Sequence, residues 1–356
     1  VKFLNKAVLM KDFLQRILPR KNQFTGVDIG TNWIKVAEVR ISGGTVDVVS
    51  LKKYPSPPGV WTDQFDEELL VEVLSQIGRQ GLNEVITCIG GEKVISRVVR
   101  FPLMSDKELA AAAEIEIEKY LSSPSDQFIF RYVRLDDGKT GDGDGEEGQN
   151  VLLLAVPSST VYQYYGIFSR AGLTVTAFDI QAFALWRLFG RNTAGTLAMI
   201  DIGSRTSHLV ITRNGTIRFV RVLPVGGSVL TRAIMDTHGV EASEAQQMQE
   251  DATILRDNGQ SWSGGRQLAE ILRGSLMEIA GEVQRSLNFY SAQEGSPVER
   301  LILSGGTSKL HGLPVFMQDV VGIPVSIGMV DLPLPGGEGF DPAYAIALGL
   351  AMRGVY

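Results

Sequence analysis

The chain is expected to fold as an α/β protein of two similar lobes facing each other across a cleft, with an α+β subdomain inserted in the first lobe. Three observations carry that expectation. The segments VDIGTNWIK at 27–35 and IDIGSRTSH at 200–208 share the order aliphatic, Asp, Ile, Gly, then Thr or Ser. A third glycine turn, LILSGGTSK at 301–309, follows in the second half. Between the two copies, 82–178 reads strand, strand, helix, strand, strand, helix, strand, the order of a self-contained α+β unit.

Each repeated segment has the same physical logic. An aliphatic run makes a buried strand whose end sets Asp28 or Asp201 where a hydrated divalent cation could be held. Gly30 and Gly203 allow backbone amides to turn toward phosphate oxygens with no Cβ in the way. Thr31, Asn32 and Lys35 in the first copy, and Ser204, Arg205 and Thr206 in the second, add donors. The chain then reverses, because Trp33, Ile34 and Val36, or Ser207, Leu209 and Ile211, continue as a partner strand. These are hairpin loops, distinct from the Gly-Lys-Ser/Thr loop that opens a helix. One such turn has an ordinary local explanation; two with matched flanks point to a phosphate site.

Along the chain, residues 1–21 carry Lys2, Lys6, Lys11, Arg16, Arg20 and Lys21 against Asp12, with Phe3, Ala7, Met10, Leu14 and Ile17 at helical spacing. A basic amphipathic helix is expected there, ended by Pro19. Such a helix can lie on an anionic membrane, dock on a partner, or pack on its own domain. After the first hairpin, 66–80 reads as a helix with Leu69, Leu70, Val73, Leu74 and Ile77 inward. Strands follow at 85–89 and 94–101, then a helix from 106 with a Ser105–Glu108 capping box. Strands at 128–135 and 151–157 flank a loop rich in Asp and Gly that lacks calcium-ligand spacing. A helix at 158–170 and a strand at 174–178 complete the insert.

The second half repeats the hairpin, adds an Asn214-Gly215 turn, and places Gly226 and Gly227 at the entry to a helix near 228–237. The polar stretch 241–259 suggests a small peripheral helical unit. A long helix at 267–292 carries Glu282 and Arg285 on one face. Gly305, Gly306 and Thr307 then turn from a short strand into a helix, and would set amides and a hydroxyl beside a base or phosphate.

Composition excludes several function classes. The 356 residues carry a net charge of -6 and no long basic block, which speaks against nucleic acid as a partner. No apolar run reaches the length of a spanning helix, and no signal peptide is recognisable. Cys88 is the single cysteine and sits in an apolar strand, so it reads as a buried side chain. His208, His238 and His311 have no zinc spacing.

Asp28-Ile29-Gly30-Thr31, Asp201-Ile202-Gly203-Ser204 and Ser304-Gly305-Gly306-Thr307 resemble the two phosphate segments and the adenosine segment of the actin, Hsp70 and sugar kinase superfamily. AYAIALGLA at 343–351 resembles the small-residue helix that crosses beneath the cleft of that actin-like, ribonuclease H-like, two-domain ATPase fold. The insert resembles the subdomain of the cell-division protein FtsA. GVDIGTNWIKVAEV at 26–39, FDIQAFAL at 178–185, EVQRSLNFY at 282–290 and LILSGGTSKLHGL at 301–313 resemble the PilM family of type IV pilus assembly proteins.

The resemblance implies a cytoplasmic protein that binds ATP and Mg²⁺ at the face of the inner membrane. It implies capture of the N-terminal cytoplasmic peptide of a PilN-like membrane protein between the insert and the first domain, contacts with pilus motor and platform proteins, and possible homo-oligomers. An actin-like ATPase or a filament-forming relative of FtsA is the alternative. Asp28 and Asp201 would serve Mg²⁺ through water, and Glu282 and Arg285 would contact the adenosine. Asp179 would orient a water for hydrolysis or cap a helix; Gln181 stands where the family pattern has Glu, so at most slow turnover is expected. The expected division is a basic segment at 1–23, a first domain beginning at 24–81, the insert at 82–178 and a connecting helix at 179–195. A second domain follows at 196–340, with its peripheral unit near 232–268, and a crossing helix at 341–356.

Overall fold

The computed structural model describes residues 22–43, 45–60, 65–90, 93–121, 124–135, 148–255, 265–337 and 339–355. The expected basic helix at 1–21 and the acidic glycine-rich loop at 136–147 lie outside the described residues, as does 256–264 of the peripheral unit.

The elements run in order as β1 Gln23–Ile29, β2 Trp33–Ser42, β3 Thr45–Pro55, α1 Glu67–Gly78, β4 Glu84–Cys88, β5 Ile95–Pro102, α2 Asp106–Glu118, β6 Phe128–Arg134, β7 Gly148–Pro157, α3 Ser158–Arg170, β8 Thr174–Asp179 and α4 Gln181–Leu185. The second half adds β9 Thr196–Ile202, β10 Ser207–Arg213, β11 Thr216–Leu223, α5 Ser228–His238, α6 Ala242–Glu250, α7 Arg266–Glu294, β12 Arg300–Ser304, α8 Leu313–Val321, β13 Val325–Ile327 and α9 Ala345–Ala351.

The repetition seen in two short segments extends to whole sheets. The first lobe has strand order β3-β2-β1-β4-β8 and the second β11-β10-β9-β12-β13. In both, an antiparallel meander is followed by parallel strands on the other side of its first strand. The alternation of a strand sets each face. On β1, Val27 and Ile29 pack with Leu70, Leu74 and Ile77 of α1 and Ile167 and Phe168 of α3. On β9, Ile200 and Ile202 pack against Leu276, Ile279 and Val283 of α7. Asp28 and Asp201 therefore fall on the opposite, inner faces.

Those inner faces share one core. Ala37, Val39 and Ile86 of the first lobe and Leu197, Met199 and Val210 of the second pack around α4 and α9. Small residues let the backbones come close. A Cβ on Gly26 of β1 would lie 2.0 Å from the Ala347 carbonyl oxygen, and one on Gly349 of α9 would lie 2.3 Å from that of Ala184 in α4. The run AYAIALGLA is thus a spacer that seats one helix on both a strand and a helix.

The expected insert at 82–178 is too wide. β4 and β8 pair parallel within the first lobe's own sheet, and α3 packs on α1 through that lobe's core. The separate sheet is β5-β7-β6, antiparallel, covered on one face by Leu109, Ala113 and Ile117 of α2. Only 95–157 leaves the lobe. Local pattern identified the strands of this stretch but not their sheets, because pairing partners are chosen by contacts far apart in sequence; the short edge strand β13 is not among the expected elements. The Ser105–Glu108 capping box forms as expected. Cys88 is buried.

Candidate functional site

The two hairpin turns are built alike. Gly30 N donates to Trp33 O at 3.0 Å, and Gly203 N donates to Thr206 O at 3.1 Å. A Cβ on either glycine would stand 2.8 Å from that same carbonyl, so both turns need glycine. Both loops line a single cleft of about 570 Å³ between the lobes. Asp28, Thr31, Asn32 and Lys35 meet Asp201, Ser204, Arg205 and Thr206 there, together with Gly227, Gly306 and Thr307.

The strand register pairs Asp28 with Lys35 and Asp201 with His208 at equivalent places in the two hairpins. Lys35 Nζ lies 3.1 Å from Asp28 Oδ2. Burial opposes the Lys35 charge, but Asp28 and Asp201 outweigh it and hold its pKa above the usual lysine value. Asp201 accepts from Ser304 Oγ at 3.1 Å. Its burial pushes the carboxyl up to about 7 against the pull of Lys35, with Asp28 adding to the rise. Burial lowers His208 to about 4 despite Asp28, so its ring is neutral near pH 7.

Behind this surface, the third glycine turn locks the second loop. Gly305, at φ +87°, lies so close to the Ile202 backbone that a Cβ would fall 2.5 Å from its carbonyl oxygen. Thr307 Oγ1 and Gly227 N both donate to Gly203 O, at 3.3 and 2.8 Å. Gly226 packs against the carbonyls of Gly203 and Ser204. Gly226 and Gly305 are therefore supports of the cleft, one layer behind the residues that line it.

Three expected contacts are absent from the cleft. Glu282 and Arg285 pair with each other, and Glu282 also binds Arg221 at 3.2 Å on the edge strand β11. The inner face of α7 is occupied by its apolar residues, which turns this pair away from the cleft. Asp179 does not line the cleft either. Its Oδ2 is taken by Arg187 at 2.6 Å and Arg353 at 3.1 Å, and its Oδ1 accepts from Ile180 N at 2.8 Å. It ties β8 to the helical turn 186–190 that follows α4 and to the C-terminal turn, without acting as a helix cap: the residue before α4 is Ile180.

Gln181, two residues on, does line the cleft. So do His208, Thr231, Gln246, Gln249 and Lys309, which the motifs did not single out. The equal spacing of Asp28–Lys35 and Asp201–His208 could have revealed His208. Nothing local distinguishes the glutamines from other polar residues of α6.

A donor set of this kind suits Mg²⁺ held largely by water and phosphate. Among the described residues no group of three or more His, Cys, Asp or Glu is placed to hold a metal. Asp28 and Asp201 are two buried carboxylates on opposite walls, and Mg²⁺ characteristically uses one or two carboxylates beside waters and substrate phosphates.

Two lobes of identical strand order, each contributing a glycine hairpin to one cleft over a shared helix core, define the actin-like ATPase fold. Within that class, the chain belongs to the family described as type IV pilus assembly protein PilM, whose family model matches residues 26–355. A solved PilM–PilN type IV pilus biogenesis complex has a chain similar to it, with TM-score 0.78 and 25% identity, covering 95% of this chain and 100% of that one. MreB5 of Spiroplasma citri bound to ADP is similar in fold, with TM-score 0.53 and 12% identity, covering 93% of this chain and 95% of that one. FtsA of Neisseria meningitidis serogroup B is 25% identical over 271 residues, 66% of this chain and 64% of that protein. FtsA of Bacillus subtilis is 24% identical over 267 residues, 66% of this chain and 58% of that protein. The matches thus span less than two thirds of these cell-division relatives.

Proposed function

We propose that the protein is an ATP-binding adapter of the type IV pilus assembly platform at the cytoplasmic face of the inner membrane, binding the N-terminal cytoplasmic peptide of a PilN-like membrane protein. The observation that carries this reading is the pair of equivalent glycine hairpins facing one cleft, with Asp28, Lys35 and Asp201 at their bases. Family membership and the likeness to a PilM–PilN complex support the partner. No described helix is long and apolar enough to cross a membrane.

In this reading the loop amides and hydroxyls would hold the phosphates, Lys35 would offer its ammonium to a phosphate oxygen as well as to Asp28, and Asp28 and Asp201 would hold the hydrated Mg²⁺. The metal supplies charge neutralisation between phosphate and carboxylate. With Asp179 engaged by two arginines rather than free to orient a water, turnover would be slow at most and bound ATP would act mainly as a ligand shared by the two lobes. Closure would reset the groove between the first lobe and the 95–157 sheet, where the peptide is expected.

Calorimetric titration of Mg-ATP tests the cleft. Wild-type protein is expected to show one saturable site, and Asp28→Ala to weaken it about tenfold or more, since a carboxylate beside a bound metal supports 10- to 100-fold in metal affinity. Equal affinity in the two proteins would place nucleotide elsewhere. Polymers that sediment only with nucleotide would favour the filament-forming alternative.

A further inference from the structure

The long helix α7 buries one side in the second lobe through Leu272, Leu276, Ile279, Val283 and Leu287. Its opposite side carries Gly274, Met277, Gly281, Arg285 and Phe289 at steps of three or four residues, with Glu278 beside Met277, so these share one face. Two large apolar side chains stand in solvent there. Met277 is 50% exposed and Phe289 is 58% exposed, although the Phe289 ring also rests on Phe219 of β11 with centroids 6.0 Å apart. The glycines are gaps between them: a Cβ on Gly274 would meet nothing within 4 Å beyond its own helix, and one on Gly281 only the Arg285 guanidinium at 3.5 Å. Glu278 is exposed, and Arg285 binds Glu282 with a side chain that is itself 65% exposed.

We propose that this face binds a second copy of the chain, the two α7 helices packing antiparallel about a twofold axis at Gly281. Such an interface is isologous, so a residue a given number of places before the axis lies beside the one that number of places after it in the other copy. Glu278, three places before, then meets Arg285, four places after, and this pairing of opposite charges is made twice. Phe289, eight places after, comes over Gly274, seven places before, where the missing side chain leaves room for a ring. Gly281 meets its own copy, and two glycines at the axis let the helices approach closely. The same charges disfavour a parallel pair, in which Glu278 would face Glu278 and Arg285 would face Arg285. From Gly274 to Phe289 the contact is about 22 Å long at 1.5 Å per residue, and one helix wide, which puts it in the small, transient class of interfaces.

The test is sedimentation velocity of the full chain, with thermal melts confirming that each variant is folded. Wild-type protein should shift from monomer toward dimer between about 5 and 200 μM, the range suited to a small interface. Glu278→Arg and Arg285→Glu should each stay monomeric, their self-affinity lowered about tenfold or more by two like-charge contacts. Mixed in equal amounts, the two variants should dimerise again, because the arginines of one then meet the glutamates of the other at both contacts. Under mild oxidation Gly281→Cys should cross-link to its own copy and Asn288→Cys should not, since only the axis residue meets itself; the native Cys88 is buried and does not compete. A wild type that is monomeric throughout, a dimer that persists in either single variant, a mixture that stays monomeric, or equal cross-linking at the two cysteines would overturn the proposal.

Discussion

Asp201→Asn is expected to stabilise the unliganded protein at pH 8 while weakening Mg-ATP binding about 10- to 100-fold, the range for a group that orients a metal's shell. The carboxyl is buried, and that burial pushes its pKa up to about 7 from the ordinary aspartate value of 3.8. Because the folded state holds this proton more tightly than the unfolded chain, the carboxyl's contribution to stability is fully present below about pH 4 and is lost as pH rises through about 7. Asparagine remains neutral throughout and can still accept from Ser304 Oγ. Melting curves across pH 5 to 8 should therefore fall less steeply for the variant than for the wild type, and the variant should melt several degrees higher at pH 8. A variant that melts lower at pH 8 would mean that the Asp201 charge is well satisfied by Lys35 in the empty cleft. A site residue that costs stability until its ligand arrives is the usual pattern of a stability–function trade.

The second large effect lies where α9 meets α4. Gly349→Val should cost about 3 kcal/mol or more, at or beyond the upper end for overpacked sites, because the new Cβ would meet the Ala184 backbone at 2.3 Å and neither helix can retreat from the shared core. Loss of soluble folded protein, or a much lower urea midpoint, is the expected outcome. Gly274→Ala on α7 gives the opposite expectation. Nothing stands within 4 Å of a Cβ there, and alanine in an open helical position gains about 0.5 to 1 kcal/mol. Equal midpoints for these two variants would show that the helix contact at Gly349 is not as close as described.

These effects trace how much of the molecule is legible in its sequence. The hairpin loops are, because a turn after Asp-Ile-Gly is decided by residues within four positions of one another, and their glycines meet carbonyls of the same turn. The capping box and the small-residue helix are legible for the same reason: their signals are local in composition. Membership of β4 and β8 in the first sheet is not, since an apolar run such as Val85–Cys88 suits any buried strand and its partners are set by the whole lobe. Asp179 misleads in a similar way. Its neighbours in sequence suggest a cleft residue, yet Arg353 at the far end of the chain helps to hold it. Glu282 and Arg285 share a helix face as expected, but which face points to the cleft depends on how α7 lies on its sheet.

In the proposed function, nucleotide in the cleft would control capture of a membrane partner's cytoplasmic peptide. The most direct test is a fluorescence titration of the N-terminal peptide of a PilN-like protein, with and without saturating Mg-ATP, against the wild type and Asp28→Ala. Binding is expected to be saturable, with an affinity that changes about fivefold or more with Mg-ATP, the usual scale of coupling between two sites, and with no such change in the variant. Peptide affinity that is identical with and without Mg-ATP, under conditions where ATP is shown to be bound, would contradict it.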